Sequence, residues 1–136
     1  MNDRGQIVTL AESQIGKPYR HMERGPQAFD CLGLLLWIAE QIGFELPHVE
    51  PYSRNPSGRR MALALQQYAR SIRISAAGPG DFLHMAFNRQ PQHLAVLVAP
   101  STIVHADSQR GRVVRHRLSG DWLEKVRAAY AFPELT

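Results

Sequence analysis

One cysteine in 136 residues rules out an internal disulfide, and with it any fold stapled by cross-links. Lysine is nearly as scarce: Lys17 and Lys125 stand against 14 arginines, so guanidinium groups supply most of the positive charge behind a formal net +4. No run of about 18 apolar residues occurs, so no membrane-spanning helix is expected. The opening Met1-Asn2-Asp3-Arg4-Gly5-Gln6 lacks the basic, apolar, small-residue order of an export signal, and cytoplasmic synthesis is the expectation. Basic stretches at Arg59-Arg60 and over residues 110–117 suit an anionic partner. However, no nucleic-acid motif, interleaved aromatics or lysine-rich tail accompanies them, and no nucleic acid is expected. There are no repeats and no low-complexity segment. What remains is an ordinary apolar share of 44% in a chain long enough to bury one core, a single domain over 1–136.

The first half of the chain has helical periodicity. Ile7, Val8, Ala11 and Ile15 recur at helical spacing over residues 4–15, with Asp3 as a possible cap and Gly16-Lys17-Pro18 as the stop. A turn-rich loop over residues 19–28 leads into a second helix, expected over residues 30–42 and apolar on nearly every side, as for a central buried helix. Residues 44–56 hold three prolines and predict an extended excursion. Ser57-Gly58 then opens an amphipathic helix with Met61, Leu65, Tyr68 and Ala69 on its apolar side. From Ser71 the period shortens to two. Strands are expected over residues 82–87, 93–98, 101–106 and 113–118, with 128–132 closing the sheet and turns at 78–81 and 89–92. Helices first and strands second describe an α+β domain, with the buried helix laid on an antiparallel sheet of five or six strands.

Cys31 opens the apolar helix. A free cysteine usually acts as a small buried hydrophobe. At a helix start, though, backbone N–H groups and the macrodipole favour negative charge, and such thiols ionise in the range of roughly 3.5–7.5. Asp30, just before it, has a structural explanation as the cap. A thiolate nucleophile needs a base and a group to orient that base. Among six histidines, His93 begins the most apolar strand and His105 ends the next, so two antiparallel neighbours can bring them together. His48 in the proline-rich loop and His116 between arginines are expected to face solvent, and His84 can face either way. Cys31, His93 and His105 are acceptable zinc ligands, but the clustered pairs of structural zinc sites are missing, and neither metal nor cofactor is expected.

Taken together, Gly16-Lys17-Pro18-Tyr19-Arg20, Phe29-Asp30-Cys31-Leu32-Gly33-Leu34, Pro79-Gly80-Asp81, His93-Leu94-Ala95-Val96 and Val104-His105-Ala106 resemble the successive blocks of the NlpC/P60 peptidases. These are papain-like cysteine peptidases that cut the stem peptides of bacterial peptidoglycan. The resemblance runs from about residue 4 to Tyr130-Ala131-Phe132-Pro133, and it is most similar to a phage-associated branch encoded with tail proteins. It implies Cys31 as nucleophile, His93 as base and His105 as the orienting residue. It also implies that Tyr19 lines the site next to the nucleophile and helps position the substrate or the oxyanion, and that Asp30 helps recognise the amine end of the substrate. Many cell-wall members carry a serine directly after the cysteine, where it binds a free N-terminal L-alanine amine; here that position is Leu32.

The resulting expectation is a thiol hydrolase of peptidoglycan stem peptides, acting through a thioester, with phage tail proteins as partners and delivery to the cell wall by a phage-like particle. Two other readings stand beside it. One is a tail-tip assembly component with a peptidase-like fold, and the other is a papain-like amidase or acyltransferase on a non-wall substrate.

Overall fold

The computed structural model describes residues 4–44, 67–86 and 93–132. Helix α1 spans Arg4–Ser13 and α2 spans Cys31–Gln41. The strands are β1 (Arg70–Ile72), β2 (Asp81–Met85), β3 (His93–Ala99), β4 (Thr102–Asp107), β5 (Arg112–Arg117) and β6 (Val126–Ala131). A 3-10 turn, Ile74–Ala76, follows β1, and a one-turn helix, α3 (Asp121–Glu124), precedes β6. The expected excursion over residues 45–56, the amphipathic helix up to residue 66, the turn at 89–92 and the Asp3 cap lie outside the described residues.

The six strands form one sheet in the order β1-β6-β2-β3-β4-β5, with every neighbouring pair antiparallel. Strands β2 to β5 are the expected meander. The last strand does not cap an edge: β6 crosses back and inserts between β1 and β2, with Phe82 opposite Tyr130 and Ser71 opposite Tyr130 on the other side. Its outward-facing neighbours are therefore both strands, which explains why Ala129, Tyr130 and Ala131 are buried.

Both faces of the sheet are covered, as the unbroken apolar run of β3 predicts; every residue from His93 to Val98 is buried. One face packs Phe82, Leu94, Val96, Val104 and Val113 against Ile7, Leu34, Leu35 and Ile38 of the helices. Alternate residues, Leu83, Ala95, Leu97, Ile103 and Ala129, form a second cluster on the far face under Trp122 and Leu118. Each fully buried aliphatic side chain contributes about 1.5–3 kcal/mol, so α2, with Leu34 and Ile38 wholly enclosed, is held by packing rather than by propensity.

Two anchors fix the helices to the sheet. Arg4, at the start of α1, pairs with the buried carboxylate of Asp81, which also accepts from Gly78 N at 2.9 Å. Gly80 between them has φ +95°, and a Cβ there would come within 2.7 Å of the Arg4 Cβ. The Pro79-Gly80-Asp81 block thus seats α1. The second anchor is residues 16–19, which run beside β5: Gly16 N donates to Val113 O, Val113 N to Lys17 O and Tyr19 N to Gly111 O. The same segment bonds Phe29, whose N–H donates to Pro18 O and whose carbonyl accepts from Arg20 N.

Candidate active site

The start of α2 is built from backbone contacts. Asp30 caps it, with Oδ1 accepting from Gly33 N at 2.7 Å, while Oδ2 accepts from Met22 N at 2.8 Å. Met22 has φ +67°, a left-handed conformation in the loop that places its N–H against this carboxylate. The loop then rests on the helix so closely that a Cβ on Gly33 would lie 2.0 Å from Glu23 O. Asp-Cys-Leu-Gly is therefore one structural unit: the aspartate ties loop to helix, and the glycine leaves room for the loop. Asp30 is only 2% exposed and has His21 Nδ1 at 3.8 Å. Tyr19 lies across a bridge from Phe29, two residues before Cys31, and packs against the core.

Cys31 is partly exposed as a residue, yet its thiol is enclosed. Desolvation, with the Asp30 carboxylate second, pushes it up to about 12; the backbone N–H groups of Leu94, Leu32 and Cys31 pull the other way and are outweighed. The low value expected for a helix-start thiol is not what the structure gives. The amides are present as expected, but the same motif that supplies them supplies an anionic cap. The contact with Leu94 also fixes the position of the thiol, beside the residue that follows His93.

On the sheet side, His93 Nε2 lies 2.6 Å from His105 Nδ1, with the rings edge to face. Both histidines are 1% exposed. Burial lowers His93 to about 4, opposed by the Asp107 carboxylate, and lowers His105 to about 2, with His93 and His116 adding to the effect. Both rings are thus neutral near pH 7.

The line of histidines continues. His105 Nε2 is 2.8 Å from His116 Nε2, and His116 Nδ1 is 2.9 Å from the Arg117 carbonyl. His116 is half-buried rather than solvent-facing, because Trp122 of α3 covers it at 4.3 Å between ring centroids and reaches His105 at 5.3 Å. Alternation with arginine predicted an exposed face but could not show that α3 folds over its end. The register makes the line: Leu97 faces Ile103 and Ile103 faces His116, so His93, His105 and His116 step diagonally over β3, β4 and β5 on one face. A spacing of 12 and then 11 residues across three strands of a meander was the available signal.

The remaining candidates separate. His84 is buried on β2 opposite Leu94, on the helix-facing side, and His48 lies outside the described residues. Among the described residues no group of three or more His, Cys, Asp or Glu side chains has the arrangement to hold a metal ion; the histidines are linked in series, not around a point. The basic rim is partly paired, Arg24 with Glu40 and Arg115 with Glu12, while Arg20 is exposed.

A cysteine-led helix packed over one face of a six-stranded antiparallel sheet, with a buried histidine pair among its strands, defines a papain-like α+β domain. The chain belongs to the NlpC/P60 family, whose model matches residues 16–130. It is 29% identical over 106 residues to a probable endopeptidase of Mycobacterium tuberculosis, covering 78% of this chain and 24% of that protein. It is also 30% identical over 102 residues to a probable endopeptidase p60 of Listeria grayi, covering 74% of this chain and 17% of that protein. The chain thus spans about a quarter or less of the length of these relatives. Among solved structures, the NlpC/p60 domain of the peptidoglycan hydrolase SagA superposes with a TM-score of 0.71 at 19% identity, over 96% of this chain and all of that one. An NLP/P60 lipoprotein-like structure from Staphylococcus aureus gives 0.72 at 22% identity, over 99% of this chain and 43% of that one.

Proposed function

We propose that this domain hydrolyses amide bonds in the stem peptides of bacterial peptidoglycan, with Cys31 as nucleophile. The observation that carries the reading is the junction of α2 and β3. There the Leu94 amide reaches the Cys31 sulfur, and the preceding residue, His93, is bonded through Nε2 to His105. His93 Nδ1 is then the nitrogen that serves the thiol. The resting pair is the uncharged thiol and imidazole, so proton transfer belongs to the substrate complex: the sulfur attacks the amide carbonyl as Nδ1 takes its proton. Amides at the start of α2, with Tyr19, stabilise the oxyanion. The His93 imidazolium donates its proton to the leaving amine, and water then cleaves the thioester with His93 as base. His105 orients His93 throughout.

Asp30 contributes negative charge for an amine end of the substrate, and Arg20 suits a carboxylate-bearing stem peptide. With Leu32 where many members have serine, a free L-alanine terminus is not the preferred feature. The phage-tail setting rests on the wording of Tyr19-Arg20-His21 and Asp30-Cys31-Leu32-Gly33-Leu34, and zymography of tail particles bearing this domain tests it. The test of the reaction is digestion of purified peptidoglycan with products identified by mass spectrometry. Wild type releases muropeptides and Cys31→Ala, still folded, releases none; equal release by both disposes of the mechanism.

A second reading is a domain retained for assembly contacts, in which the enclosed thiol stays protonated and takes no part in chemistry. Alkylation of Cys31 at pH 7 with and without peptidoglycan fragments separates the two. Acceleration by fragments supports the hydrolase, and indifference to them supports the scaffold.

A further inference from the structure

The histidine line ends on a group that fixes its polarity. The Arg117 carbonyl can only accept, so the proton of His116 sits on Nδ1, 2.9 Å away. In the neutral ring Nε2 is then a lone pair. Its neighbour at 2.8 Å, His105 Nε2, must be the N–H. His105 Nδ1 is in turn the acceptor, and His93 Nε2, at 2.6 Å, must carry its proton. This leaves the His93 lone pair on Nδ1. Each step follows from the one before it, because a neutral imidazole has one donor and one acceptor.

We infer that His116 is a positioning residue for the reaction proposed above: its contact with the Arg117 carbonyl sets the tautomers of His105 and His93 in series, so that Nδ1 of His93 is the basic nitrogen before substrate arrives. The inference rests on Cys31 and His93 being the reacting pair only for its kinetic consequence. The tautomers themselves follow from the three contacts when the His116 ring is uncharged. Trp122 supports the arrangement by packing at a tilt against His116 and His105, with centroids at 4.3 and 5.3 Å, which restricts both rings. When His93 accepts the thiol proton, the aligned N–H groups polarise one another and spread the new charge toward the Arg117 carbonyl. Without His116, the His105 Nε2 hydrogen loses its acceptor, and both tautomers of His105 and His93 become accessible.

The test uses the full chain with 15N-labelled histidine. Two-bond proton–nitrogen spectra at pH 7.5 report which ring nitrogen carries each proton, with signals assigned by single His→Gln variants. Wild type is expected to show protons on Nε2 of His93, Nε2 of His105 and Nδ1 of His116. His116→Phe keeps a ring against Trp122 and removes both nitrogens. It is expected to give mixed tautomers at His93 and His105. The kcat for muropeptide release should fall by ~10- to 100-fold with KM little changed. This is less than the ~10⁴-fold cost of a wrong tautomer held fixed in a serine triad, because the ordering is released rather than reversed. His116→Gln, whose side-chain oxygen accepts from His105, should restore most of the rate. A proton on Nδ1 of His93 in the wild type overturns the inference. So does His116→Phe with unchanged tautomers and kcat. If the wild type shows the expected tautomers but releases no muropeptides, the ordering stands and the hydrolase reading falls. If it is active with His93 protonated on Nδ1, the reverse holds.

Discussion

The two sides of the site are positioned by different physics. The thiol side is held by bonds that end on main-chain groups, with one side chain among them: the Asp30 carboxylate accepts from Gly33 and Met22, the loop rests on Gly33, and Phe29 bonds the segment through Pro18 and Arg20. The histidine side is held by side chains, ring to ring, in an order dictated by strand register. Backbone contacts tolerate most side-chain changes but no change of chain path, whereas a ring-to-ring line tolerates no change of side chain. Apart from Cys31 itself, substitutions on the thiol side should therefore register first as lost stability, and those on the histidine side first as lost rate.

The largest effect that sharpens this contrast is on rate. His105→Ala should lower kcat for muropeptide release by about 10²- to 10⁴-fold, the range of general acid–base catalysis, and His105→Asn should recover part of it. Comparable kcat in His105→Ala and wild type would break the assignment of the histidine side to chemistry. Next, Gly33→Ala forces the loop off the helix and should cost about 1–3 kcal/mol in urea denaturation, more than a typical surface change. A melting midpoint unchanged from wild type would show that the loop gives way without cost. Asp30→Ala, which strips a cap and leaves the buried Gly33 amide and the partly buried Met22 amide without their acceptor, should cost about 1–2 kcal/mol by the same measurement.

The acid dependence distinguishes the sides again. His93 and His105 are held neutral in the folded protein, at about 4 and about 2 against an ordinary 6.5. The unfolded chain therefore takes up protons first as pH falls. Their contribution to stability is complete above about 6.5 and is lost progressively below it, toward the folded values. Urea midpoints should fall between pH 7 and pH 5, and less steeply in His105→Gln; an equal slope in the two proteins would remove the histidines from the effect. The smallest effect belongs to the rim. Arg24→Ala breaks a solvent-exposed pair with Glu40 and should change stability by no more than about 0.5 kcal/mol.

The same contrast accounts for what could be read from the sequence. Asp30, Cys31 and the boundaries of α2 depend on neighbours within a few residues, and local pattern found them. The pairing of His93 with His105 needed only one hairpin, and it too was legible. His116 needed two hairpins in register and a covering turn of helix from beyond β5, so its periodicity, read alone, pointed outward. The insertion of β6 between β1 and β2 was hidden for a related reason. Strand order is decided by which buried faces match, and no short window of Val126–Ala131 records that it has two partners. The ionisation of Cys31 is not legible from the helix start alone, because its largest cause is desolvation of the enclosed thiol by the rest of the fold, with the Asp30 carboxylate second.

The segment over residues 16–19 has a mechanical consequence. It is stitched on one side to the strand bearing His116 and on the other to the residue two places before Cys31. The nucleophile and the outermost ring of the histidine line therefore share a single brace. A nick within this brace would uncouple both halves of the site at once, so limited proteolysis there should silence the domain even where every side chain of the site is intact.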